Sequence, residues 1–227
     1  MDFVELFAGD RARQFEANIR ARIPGYEVVL QTATAQIARS RTSGRILSVG
    51  CGSGQDVIAL ARRPSYQVTA IDPSADMVTL AGERFRAEGI LGIDLRCCTV
   101  SELPDEPRYD AALLCFVLHF IPDDGAKDRL LEQIAQRLRP GGELVLLDFC
   151  RTADHAADMR ALRVYLEWFS RMPAAEADAY VARIRNELHL LAPEAYVHRG
   201  RQAGFSTVRT FYSSLHVRGL LFEKDPA

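Results

Sequence analysis

The sequence lacks any apolar run approaching the roughly 20 residues that span a bilayer. Its opening stretch, MDFVELFAGDRARQF, holds no basic segment leading into an apolar one. Neither a membrane anchor nor an export signal is expected. Net charge is nearly absent as well, since 28 Lys and Arg stand against 30 Asp and Glu, leaving −2. Such a surface does not attract a phosphate backbone, so no nucleic-acid partner is expected. The basic side chains that do gather, Arg11, Arg13, Arg20 and Arg22 and later Arg199 with Arg201, read as solvated helix faces. The five cysteines, Cys51, Cys97, Cys98, Cys115 and Cys150, form neither a CxxC pair nor a small secreted framework, which points to a reduced, cytoplasmic setting. His155, His189, His198 and His216 have no partners at metal-ligand spacing, so no metal site is expected. Ser53 lacks the GxSxG elbow of a nucleophilic serine, which argues against a hydrolase. Internal repeats and low-complexity segments are also missing.

What is present is an ordinary globular balance, 48% hydrophobic and 26% charged over 227 residues, enough for one core with an insertion. Four short, continuously apolar runs read as buried parallel strands: Arg45 to Val49, Gln67 to Ile71, Tyr109 to Cys115 and Glu143 to Phe149, with a weaker fifth at Asp94 to Cys98. Helical spacing fills the gaps at Gln55 to Arg63, Ala75 to Glu88 and Ala126 to Leu138, the last closed by Pro140-Gly141-Gly142. This alternation predicts a doubly wound, Rossmann-like α/β sheet of about seven strands, mostly parallel, with its ligand at the carboxyl ends of the strands. After Cys150 the rhythm changes to two amphipathic helical stretches, Asp154 to Met172 and Ala174 to Leu190. A helix opened by Pro193 and closed near Gly204 then leads to two strands, Phe205 to Tyr212 and Leu215 to Phe222, that suit an antiparallel hairpin. The expected organisation is one domain: an N-terminal helical cover over 1–40 carrying Phe3, Leu6, Phe7, Val28, Val29, Ala33 and Ile37, a ligand-binding core over 41–150, an inserted cap over 151–192, and the returning helix and hairpin over 193–227.

The first strand runs into Gly50-Cys51-Gly52-Ser53-Gly54, where residues without a Cβ let backbone come close to a ligand. A nicotinamide fingerprint would need glycine at Gln55, so an oxidoreductase is disfavoured. Asp72 closes the second strand, where a carboxylate can accept hydrogen bonds from both hydroxyls of a ribose.

On the motifs VGCGSG, AIDPSADM and LRPGGELVLLD, across about residues 45 to 150, the chain resembles class I S-adenosylmethionine methyltransferases. The resemblance implies S-adenosyl-L-methionine as cofactor, cradled by Gly50, Cys51, Gly52 and Gly54 and by Asp72 and Pro73. It places Met77 near the adenosine, Thr99 and Val100 beside the adenine, and Cys115 at the methionine part. A looser similarity, carried by IPGYEVVL, PRYDAALLCFVLHFIP and HRGRQAGF, is to carboxy-S-adenosylmethionine synthases. That likeness implies a Tyr26 contact to the cofactor, an Arg199 pairing with a carboxylate derived from prephenate, and a homodimer. The sequence departs from that family at Thr99, Cys115 and His119, where the synthases place aspartate, asparagine and commonly glutamine.

Methyl transfer from a sulfonium is an in-line displacement, so alignment in a dry pocket matters most. His119 is either a general base for the acceptor or a histidine bonded to backbone at a strand-to-helix turn. Tyr165, with Trp168 and Phe169, either closes over a substrate or packs the cap core. Arg199 either clamps a carboxylate or is an exposed helix arginine. The leading expectation is a methyltransferase with a small-molecule acceptor. The alternatives are a carboxy-S-adenosylmethionine synthase-like enzyme and a non-catalytic cofactor-binding protein.

Overall fold

The computed structural model describes residues 7, 9–106 and 108–226. Phe3 and Leu6 of the expected N-terminal cover, and the side chain of Arg11, lie outside the described residues. The elements are α1 Asp10–Arg22, α2 Tyr26–Ser40, β1 Gly44–Val49, α3 Ile58–Ala61, β2 Tyr66–Asp72, α4 Ala75–Ala87, β3 Asp94–Cys97, β4 Tyr109–Cys115, α5 Ala126–Arg137, β5 Leu138–Phe149, α6 His155–Trp168, α7 Ala174–Asn186, α8 Pro193–Gln202, β6 Thr207–Ser214 and β7 Val217–Glu223. Seven strands form one sheet in the order β3-β2-β1-β4-β5-β7-β6. β1 pairs in parallel with both β2 and β4, while β7 lies antiparallel to β5 and β6. The strand order therefore reverses between β1 and β4, and a crevice opens at their carboxyl ends.

Alternation along the central strands explains two cores. Ile46, Ala111, Leu113, Val145 and Leu147 face α2, which buries Val29, Leu30, Ala33 and Ile37 in one stripe. Leu47, Val49, Ala112, Leu114, Leu144 and Leu146 face Leu131 and Ile134 of α5 and Tyr196 of α8 on the other side. Val28, which shares the helical spacing, points away and is 59% exposed. A separate small core, Met159, Leu162, Leu166, Ala177 and Ile184, joins α6 to α7. This helical pair leaves the sheet at Cys150 and returns at Leu191, two residues linked by an isolated parallel bridge.

Several expected spans change: the cap helices end earlier, at Trp168 and Asn186, and the last two strands start later, at Thr207 and Val217. The helix after the glycine turn shrinks to Ile58–Ala61, because its first residues form the turn itself. β5 begins at Leu138 and runs through Pro140-Gly141-Gly142, with an irregularity opposite Tyr109 to Ala111. β3 stops at Cys97, one residue early. Among the described residues, no helix is long and apolar enough to cross a membrane.

Candidate active site

Residues of β1, β2 and β4, together with α1 and α2, enclose a cavity of about 430 Å³ over the sheet's carboxyl edge. At its floor the backbone turns at Gly50 and Gly52, both with positive φ (65° and 52°). A Cβ on Gly50 would sit 2.6 Å from Val117 Cγ2, so this position admits no larger residue without displacement. A Cβ on Gly52 would meet nothing within 4 Å and would project into free space. Gly54 behaves differently: its φ is 78°, a Cβ would strike Phe85 at 2.4 Å, and it is absent from the cavity wall. Its part is to let α4 pack against the turn.

Asp72, at the end of β2, is buried and held by two backbone donors. The N–H of Gly52 bonds Oδ2 at 2.9 Å and that of Ser74 bonds Oδ1 at 2.9 Å. Burial pushes its pKa up and those two N–H groups pull it down. Each oxygen keeps a further lone pair for hydroxyl donors. Ser74 also caps α4 by accepting from the Met77 N–H at 3.3 Å. That cap seats Met77, 1% exposed, in the cavity wall beside Pro73. Thr99 and Val100 line the same end, with the Thr99 hydroxyl bonded to Glu102 at 2.8 Å in a capping box.

The opposite wall is aromatic. Phe7 packs edge-on against Phe15 (5.1 Å) and Phe120 (5.2 Å), and Tyr26 lies 6.0 Å from Phe116. Tyr26 and Cys115 both line the cavity, and burial pushes the phenol and the thiol up, so both stay protonated near neutrality. Among the described residues, the structure thus gathers Tyr26, Gly50, Cys51, Gly52, Asp72, Pro73, Met77, Thr99, Val100 and Cys115 around one space.

His119, Tyr165 and Arg199 are not in that wall. His119 is 2% exposed; its Nδ1 pairs with Asp148 Oδ1, its own backbone N–H bonds Oδ2 at 3.0 Å, and its ring stacks on Phe149 at 4.5 Å. Asp148 also accepts from the Phe149 N–H at 2.8 Å and from the buried Tyr196 hydroxyl at 3.4 Å. Its backbone carbonyl accepts the His189 N–H at 2.8 Å, and the contacts with Asp148 tie the turn after β4 to β5. Tyr165 stacks on Phe169 at 5.8 Å within the cap cluster, away from the cavity. The Arg199 guanidinium pairs with Asp123 at 2.7 Å and Asp128 at 3.1 Å, at the start of α5.

Sequence reading passed over Asp56, Cys98, Phe116 and Phe120, all in the wall. Asp56 carried a signal: an acid two residues past Gly54, among apolar Val57, Ile58 and Leu60. The aromatic residues carried none, because their meeting depends on α1 folding across the sheet.

Residues 46–142 match the family described as "Methyltransferase domain". That match runs from β1 into β5 and leaves out the cap and the terminal hairpin, so it is a likeness of this part of the chain to methyltransferase domains. Over 231 residues it is 29% identical to a carboxy-S-adenosyl-L-methionine synthase of Pseudomonas putida, covering 97% of this chain and 92% of the relative. By structure it resembles a Burkholderia thailandensis 1,6-didemethyltoxoflavin-N1-methyltransferase solved with its substrate and S-adenosylhomocysteine (TM-score 0.63, 18% identity, 99% of this chain, 86% of that one). It also resembles a Haemonchus contortus phosphoethanolamine N-methyltransferase in complex with S-adenosyl-L-methionine (TM-score 0.69, 15% identity, all of this chain but 60% of that one). At these identities the two structures speak for the fold alone.

Proposed function

We propose that the protein transfers a methyl group from S-adenosyl-L-methionine to a small, largely apolar acceptor held under the aromatic wall of the cavity. The cavity fits the cofactor: glycine backbone at its floor, a paired-donor carboxylate at Asp72, apolar Met77 and Val100 for the adenosine, and Tyr26 and Cys115 at the other end. When bound, the cofactor supplies an electrophilic methyl on sulfur. The chain's own share is to exclude water and hold the acceptor in line, which Phe7, Phe15, Phe116 and Phe120 serve. His119 is given no part in this reading, because it lies outside the described cavity wall.

The observation that favours methyl over carboxymethyl chemistry is the wall's charge. Its described residues include Asp56 and Asp72 but no Lys, Arg or His, so nothing there pairs with a carboxylated sulfonium or a dicarboxylate donor. The test is mass spectrometry of ligand carried through purification, followed by incubation with methyl-labelled cofactor and a panel of aromatic hydroxyl and amine acceptors. The expected ligand is S-adenosylmethionine or S-adenosylhomocysteine, with label appearing on an acceptor. A bound carboxylated cofactor would overturn the reading.

A further inference from the structure

The cavity holds a second acid that the cofactor motifs do not explain. Asp56 follows the glycine turn and is 8% exposed. Its Oδ2 accepts the Ser48 hydroxyl at 2.8 Å, and its backbone carbonyl accepts the Thr34 hydroxyl at 3.2 Å, so β1 and α2 fix it from two sides. Its Oδ1 is buried with no hydrogen-bond partner among the described residues. The Asp56 and Val57 backbone N–H groups face the carboxyl and favour its charged form without closing a well-formed bond to that oxygen. Tyr26 from α2, Cys51 from the turn and Cys115 from β4 feel its charge, and the charged side chain that acts on it in return is another acid, Asp72.

A carboxyl placed this way is costly to ionise. Burial pushes its pKa up to about 7, and no cation of the wall offsets the charge. The protein retains an unpaired oxygen in a cavity that already has one acid committed to donors. Polar atoms left in this state mark where a ligand completes the pairing.

We propose that Oδ1 of Asp56 receives the α-ammonium group at the amino-acid end of the cofactor, so that cofactor binding requires the carboxylate and expels its proton. The inference rests on the cofactor reading above. With Asp72 given to the ribose and Met77, Thr99 and Val100 to the adenosine end, Asp56 on the other flank of the turn, beside Tyr26 and Cys115, is the acid left for the amino-acid end. Hydrogen bonds to a charged partner are shorter and stronger than neutral ones, and the dry surroundings strengthen them further.

Calorimetry of S-adenosylhomocysteine binding at about pH 6, in two buffers of different ionisation heat, should show release of up to one proton, fading to none about two pH units higher. Proton uptake, or none at either pH, overturns the proposal, because uptake would mean a protonated Asp56 facing the cofactor's carboxylate instead. Asp56→Asn should weaken S-adenosylhomocysteine about tenfold or more while leaving 5′-methylthioadenosine, which lacks the amino-acid end, unchanged. Equal loss for both ligands, or loss for neither, also overturns it. Should this variant fail to fold, the proton count on the unaltered protein still decides. Failure of the cofactor reading looks different, since the unaltered protein would then bind neither ligand.

Discussion

Two buried acids, Asp56 in the turn after β1 and Asp148 on β5, have opposite surroundings. Asp148 has both oxygens occupied, by the ring and backbone of His119, the Phe149 N–H and the Tyr196 hydroxyl. Asp56 has one oxygen bonded to Ser48 and the other unmet. A carboxylate that its own fold satisfies is a structural joint, whereas one left half satisfied in a cavity is prepared for something the chain does not supply. His119 is oriented by that acid yet lies outside the described cavity wall.

The sharpest way to break this contrast is Asp148→Ala. It would leave the His119 ring buried without its carboxylate and the Tyr196 hydroxyl with the Phe149 carbonyl as its remaining acceptor, and denaturant unfolding should report a loss of about 3–5 kcal/mol. A loss under about 1 kcal/mol would show that the cluster is not the joint described. A medium effect concerns His216, at the turn of the β6–β7 hairpin, 0% exposed and with neither ring nitrogen partnered. Burial lowers its pKa from 6.5 to about 3, so the unfolded chain takes up the proton first. Stability from this group is intact above about pH 6.5 and falls with acid until about pH 3, at about 1.4 kcal/mol per unit. The unfolding free energy from urea titrations should therefore drop by about 2 kcal/mol from pH 7 to pH 5, and His216→Leu should abolish that drop. The smallest effect is expected for Arg199→Ala, about 1 kcal/mol of stability with unchanged cofactor affinity in a binding titration. A tenfold loss of affinity would return Arg199 to the site.

The glycine floor of the cavity was legible because it is written locally. Gly50, Gly52 and Asp72 are specified by residue type at a fixed spacing, and their backbone conformations need no distant partner. Arg199 and His119 were not legible, because their roles depend on Asp123, Asp128 and Asp148, which other elements deliver. Periodicity placed α4 and α5 nearly to the residue. It overestimated α3, where the backbone is spent on the glycine turn instead of helix.

The bridge between Cys150 and Leu191 carries a consequence for how this architecture can vary. Because the cap's two ends leave the sheet side by side, the strand order, the β5–β7 register and the glycine floor do not depend on what lies between them. The α6–α7 pair is an insertion in topological terms, leaving and rejoining the sheet at one point.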